Sequence, residues 1–295
     1  MKKTTSLFCA FAIALGLCST AQAFIITFNE EQNVGEATTY FYWTYECNET
    51  TKTATLIKGE QLFEDVEIKN LIVISDATTT NLYTVNKIAA GALANNPALL
   101  SVTVPNTILE IGDEVFRNCT SLAEVTLTYG IRYIGRQPFV NTIVREIKLP
   151  DSVIDVGGNI AAGTLFTTTI NIEDSSHFVY SDDGVLYNKD QTKLYACPAR
   201  AEGTVSIPNT VTNIAADAFF GCFRLTYLNL PKTVNTIGGG AFNVAGIWPD
   251  LSAPESTPKS SPCFTMDPFL TLPTTSTMAR PPSSSATHSM MLGAE

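Results

Sequence analysis

One phrase written at a fixed step constrains this chain more than any other feature. Val102 to Leu127 reads VTVPNTILEIGDEVFRNCTSLAEVTL, and Val205 to Leu230 reads VSIPNTVTNIAADAFFGCFRLTYLNL, with nine of 26 positions identical. Between and around them an apolar-x-apolar triplet recurs at Val102, Val125, Ile147, Ile170, Val205 and Leu228, in steps of 23, 22, 23, 35 and 23 residues. Nine residues after a triplet begins comes a second apolar landmark: Ile111, Ile134, Val156, Ile214 and Ile237. Phe116, Phe139, Phe219 and Phe242 follow it by five. A variant copy is expected over Leu71 to Leu93, with Ile88 as the landmark and Leu93 in the Phe position.

Alternation with period two is the mark of a half-buried strand. Pro105, Pro150, Pro208 and Pro231 end four of these strands, because proline cannot donate to a ladder. Pro-Asn-Thr or Pro-Asp-Ser then turns the chain. A unit of some 23 residues leaves two edges open and cannot stand alone, but stacked units bury one another. The sequence therefore predicts a mainly β solenoid of about six to seven coils over residues 71–243. Residues 24–70, with TTYFYWTYE (Thr38 to Glu46) and KTATLIKG (Lys52 to Gly59) as strands, are expected to cap its open N-terminal edge.

The ends differ from this body. Lys2 and Lys3, the apolar run Leu7 to Cys18, and Ala21-Gln22-Ala23 spell a signal peptide, residues 1–23, cleaved after Ala23. Lipidation at Cys18 is the alternative, against which stands Leu17 where a small residue is needed. After Phe242 the repeat breaks off, and 22 of the 36 residues from Ser252 to Thr287 are Ser, Thr or Pro. Residues 244–295 are expected to be a disordered tail: a linker, a stalk, or a segment not selected as protein sequence.

The phrase LxxVTVPNTxxxIGxxxFxxC resembles the BspA-like leucine-rich repeats of exported bacterial and parasite proteins. The resemblance covers about Leu71 to Phe242. Phe178 to Pro198, within the 35-residue step, is similar to the hairpin insert of that family. It implies a secreted or surface-exposed protein that binds or adheres to other macromolecules at the bacterial surface, host matrix or other cells. The partner would be an extracellular protein or glycoprotein. Two departures bear on register: Thr167 stands where Leu is expected, leaving the Ile170 strand open to re-registration, and Ile160 or Phe166 must replace the missing Phe.

The formal net charge of −10 argues against nucleic acid or an anionic membrane as partner. Mature cysteines number five (Cys47, Cys119, Cys197, Cys222, Cys263), with no CxxC pair, so buried structural thiols are expected and no disulfide framework or zinc site. Asp182-Asp183-Gly184 lacks calcium-loop spacing and reads as a hairpin turn. His177, beside Ser175 and Ser176, lacks an evident orienting acid, and IGGGAF (Ile237 to Phe242) lies at a repeat turn. No catalytic residue, cofactor or metal is assigned.

Binding would then fall on the outward strand positions, where copies differ: Glu124, Glu146, Lys148, Asn171, Tyr227 and Asn229. Arg132, Tyr133 and Arg145 are a second candidate patch, against which stands the simpler reading of a solvated edge. A structural surface or periplasmic component, and a glycan- or peptide-acting enzyme, are the alternative readings. Asn48 and Asn118 head N-x-Thr sequons that matter only in a glycosylating host.

Overall fold

The computed structural model describes residues 23–34, 37–75, 78–165, 169–172, 175–199, 201–243 and 245. The expected signal peptide, except Ala23, Cys263 and nearly all of the expected tail lie outside the described residues. Twenty strands and no helix are found within them. β1 (Ala23–Val34), β2 (Ala37–Asn48) and β3 (Thr53–Glu60) form an antiparallel meander. Its inner face carries Ile26, Phe41, Trp43, Tyr45 and Leu56, all buried. Phe41 meets Phe63 edge-on at 5.0 Å, and Trp43 donates its indole N–H to Glu30 at 3.0 Å. The cap is thus joined to the first coil by a continuous core.

Each coil contributes one strand to a front ladder and one short strand to a back ladder. The front ladder starts at β4 (Phe63–Glu67), upstream of the Leu71 boundary expected from the repeat. β5 (Leu71–Ser75) and β6 (Thr80–Ile88) come next, then β7 (Ala98–Val104) and β8 (Glu110–Ile111). β4 lies parallel to β7 with Val66 opposite Val102, and Ile88 pairs with Ile111. The triplet of the first coil is therefore Val66-Glu67-Ile68. Leu71–Ser75 is not a repeat strand: it pairs antiparallel with Thr80–Thr84 as a hairpin inserted between the coil's front and back strands. Ile88 and Leu93 do hold the positions expected of them; both are fully buried.

The next coils are regular. β9 (Glu124–Leu127) and β10 (Tyr133–Ile134) stack on β7 and β8. β11 (Glu146–Lys148) precedes β12 (Asp155–Val156), which pairs with β10. β13 (Thr169–Asn171) pairs parallel with β11, Ile147 opposite Ile170, so this strand keeps the repeat register. Ile160 is fully buried in its coil; Phe166 lies outside the described residues.

The 35-residue step is a second hairpin at the same point of the coil. β14 (Phe178–Tyr180), β15 (Leu186–Asn188) and β16 (Lys193–Ala196) run antiparallel, with Asp182 and Asp183 exposed at the first turn. Leu194 of β16 takes the landmark place, opposite Ile214. β17 (Glu202–Ser206), β18 (Asn213–Ile214), β19 (Arg224–Asn229) and β20 (Thr236–Ile237) complete the ladders.

Three columns run between coils. Phe116 stacks on Phe139 at 5.5 Å and Phe219 on Phe242 at 5.1 Å. Asn95, Asn118 and Asn141 sit one above another with φ of 63°, 61° and 58°. Asn141 donates its amide to Asn118 and Asn118 to Asn95, each at 2.8 Å. Asparagine tolerates the left-handed region and its amide continues the column. The third column is Asn96, Cys119, Thr142 and Cys222. Each is buried and gives its side-chain hydrogen to a carbonyl of its own or the preceding coil.

Candidate functional site

The six outward strand residues do not form one patch. Glu146 and Lys148 on β11 and Asn171 on β13 come together: Asn171 donates to Glu146 at 3.1 Å, and Lys148 Nζ stands 3.9 Å from the same carboxylate. Glu124 lies exposed on β9, beside Ser101, whose hydroxyl donates to Asp65 at 2.7 Å. Tyr227 and Asn229 are on β19, opposite Thr204 and Ser206, beyond the second hairpin. Among the described residues no strand pairing joins β9 to β11 or β13 to β17, so the six residues fall on three separately paired segments.

At the C-terminal ends of the front strands the coils open into a depression of about 230 Å³. Leu127, Lys148, Leu149, Pro150, Asp151 and Asn171 line it, which includes two of the six residues expected from the sequence. Asp151 accepts from the Ser176 amide at 2.7 Å and from its hydroxyl at 2.9 Å. These hydrogen bonds, helped by the nearby His177, hold the Asp151 carboxyl below its usual range. Asp151 thus engages Ser176 rather than orienting His177. A Ser-His-Asp relay needs the acid on the imidazole, and no such bond occurs among the described residues. Nor do three or more His, Cys, Asp or Glu side chains gather there in a metal-binding group.

The second expected patch is divided. Arg132 and Tyr133 precede and enter the back strand β10, whereas Arg145 precedes the front strand β11, on the opposite edge of the coil. Burial, then the carboxylates of Asp113, Asp155 and Glu110, push the Tyr133 phenol up.

The sequence singled out Arg132 but missed its neighbours on the edge from which both hairpins leave. Leu109, Arg132 and Ile154 form an exposed column in successive coils, the Arg132 amide bonded to the Leu109 carbonyl at 2.8 Å and the Ile154 amide to that of Arg132 at 2.9 Å. Tyr129, 72% exposed, occupies the turn that carries Asn106, Asp151, Asn209 and Lys232 in other coils. An aromatic in a polar turn slot was the signal. Leu71, Val73 and Leu82 are exposed on the first hairpin at the same edge, Val73 directly across from Leu82. Tyr and Arg among exposed aliphatics is closer to hot-spot composition than the front strands are.

The repeats that build the two ladders match one known repeat family. The model of the BspA type leucine-rich repeat region matches residues 37–173, 86–199 and 195–266, with six copies. The chain belongs to this family. BspA-type proteins are typically on the surface or secreted, and leucine-rich repeats commonly mediate protein interactions. Among solved structures, a leucine-rich cell surface protein of Faecalibacterium prausnitzii is 22% identical, covers 73% of this chain and 74% of its own, with TM-score 0.38. A Bacteroides capillosus leucine-rich repeat protein is 25% identical over 48% of this chain and 98% of its own, TM-score 0.38. One from Bacteroides ovatus is 19% identical over 70% and 56%, TM-score 0.44. No curated protein matches the chain. Among the described residues no helix is long and apolar enough to cross a membrane.

Proposed function

We propose that this BspA-type protein is a non-enzymatic binding module, exported through its N-terminal segment, that attaches to an extracellular protein or glycoprotein at the bacterial surface. One observation carries the reading. Inward positions repeat the same side-chain class from coil to coil (Val102, Val125, Ile147, Ile170, Val205, Leu228), while outward and edge positions vary (Glu124, Glu146, Tyr227; Leu109, Arg132, Ile154; Tyr129). A scaffold that holds its core constant and varies its surface is built to present a surface. The β11–β13 group with the adjoining depression, and the edge column beside Tyr129, are the two parts most suited to contact. Both lie in the coils between the two hairpins.

The mature chain, residues 24–295, is to be screened against matrix proteins, mucins and glycans, and against whole cells. Tyr129→Ala with Arg132→Ala should weaken a bound ligand at least about tenfold, since hot-spot truncations cost about 2 kcal/mol. Glu146→Ala with Lys148→Ala tests the front face in the same way. Absence of binding to every matrix protein, glycan and cell surface would overturn the proposal.

A further inference from the structure

Edge strands invite further pairing, and charge or short length blunts them. β4, at the edge of the front ladder, carries Glu64, Asp65 and Glu67, and β14, at the edge of its sheet, is only three residues long. β5 has neither protection. Its five residues, Leu-Ile-Val-Ile-Ser, hold no charge and no proline, and among the described residues it pairs with β6 alone. Leu71 and Val73 are exposed on it, with Leu82 exposed across from Val73, while Ile72 is buried and Ile74 packs on the core.

The register tells which backbone groups are open. The Val85 amide donates to the Asn70 carbonyl at 2.9 Å, which makes Asn70 and Val85 a hydrogen-bonded pair. Such pairs alternate with unbonded ones along an antiparallel ladder. Ile72 opposite Tyr83 and Ile74 opposite Asn81 therefore bond to β6, and the N–H and C=O groups of Leu71, Val73 and Ser75 point away from it. The layer is fixed as well. Thr84 has Thr53 of β3 on one side and Leu71 on the other, just as Ile88 has Leu56 of β3 and Ile111 of β8. β5 thus lies on the same side of β6 as β8 does. A strand added to β5 would take the layer of β10, about 4.8 Å further on. Arg132 stands exposed at the edge of that layer, and no ion pair among the described residues includes it.

We propose that β5 takes up an extended segment of a partner protein as an additional strand. Main-chain hydrogen bonds to Leu71, Val73 and Ser75 hold the segment, and its apolar side chains at alternate positions continue the row of Leu71 and Val73. A carboxylate at its end pairs with Arg132. The inference rests on the binding reading above and adds the form of the bound partner: a strand of alternating apolar residues with an acidic end.

Amide exchange of the mature chain, read residue by residue, tests this with a blocked synthetic peptide, Glu-Thr-Val-Thr-Val-Thr-Glu, as probe. Without probe, the amides of Leu71, Val73 and Ser75 should exchange fast and those of Ile72 and Ile74 slowly. Millimolar probe should slow the first three at least about tenfold, as expected for a paired strand. The same peptide N-methylated at alternate residues should not, because its pairing edge cannot donate. Val73→Pro removes an outward N–H and leaves the bonds to β6, so it should abolish the effect of the probe and keep Ile72 and Ile74 slow. Arg132→Ala should weaken the probe by about threefold, as loss of an exposed ion pair would, and leave unchanged a probe with Gln in place of Glu. Unchanged exchange of Leu71, Val73 and Ser75 at millimolar probe would overturn the proposal. So would protection of these amides without probe that rises with protein concentration, which would give the edge to a second copy. A matrix protein that binds the chain, leaves these three amides fast and is indifferent to Val73→Pro would leave the binding reading standing and strand addition refuted.

Discussion

At the scale of single residues, the repeated letters have separable tasks. Asn118 both adopts a positive φ and bridges Asn95 and Asn141. Asn118→Ala should cost about 2 kcal/mol, combining left-handed strain with two lost hydrogen bonds. Asn118→Gly restores only the backbone freedom and should recover part of it; chemical denaturation of both variants checks this. The repeated Cys was legible as core but not as a hydrogen-bond donor. Burial pushes the Cys119 thiol up to about 11, and the Cys197 thiol is raised by its hydrogen bond with Cys222 and by burial. A thiolate is the reactive form. Cys47, Cys119, Cys197 and Cys222 are all buried and should resist alkylation at neutral pH until the protein is unfolded, as mass mapping of labelled peptides would record.

At the scale of elements, the Ile-Gly step lets coils approach. A Cβ on Gly135 would lie 2.5 Å from the Gly112 carbonyl carbon and 2.6 Å from the Asp113 amide nitrogen of the coil below. Gly135→Ala should destabilise by about 1–3 kcal/mol through forced separation of the back strands, seen as a lowered denaturation midpoint. The triplets, landmarks and second hairpin were legible because each is a local pattern of alternation and turn residues. The first front strand was not: Phe63–Glu67 carries three acidic residues, and the hairpin Leu71–Ile88 moved its landmark out of the usual spacing. The same displacement made Leu71–Ser75, an apolar run with good alternation, look like a repeat strand.

At the scale of the molecule, the core falls into two clusters that meet at the second hairpin: Phe178, Leu186, Tyr195 and Ala196 pack with the cap and the first coils, while Val185, Tyr187 and Leu194 pack with Phe219 and the last coils. The halves meet directly where Gly158 bridges to Ala216. There Arg136 gives Nε and Nη2 to Asp217 at 3.1 and 3.0 Å, across 81 residues. Asp217 is 1% exposed, and burial raises its carboxyl above the ordinary value although Arg136 opposes the rise. Arg136→Ala leaves that carboxylate buried without its ion pair, a loss on the order of 3 kcal/mol. Calorimetry should record this as a lowered midpoint. A raised folded value means that the group's contribution is complete below the unfolded value near 3.8 and is lost as pH rises through the folded one. Asp217→Asn should remove this part of the pH dependence of stability. By itself the sequence determined the repeat, its period, the strand-forming triplets and the family, because those are carried by side chains a few residues apart. Only the tertiary structure decided which surface letters come together, since Lys148 meets Asn171, Arg136 meets Asp217, and Leu109, Arg132 and Ile154 align only after coils of unequal length have stacked.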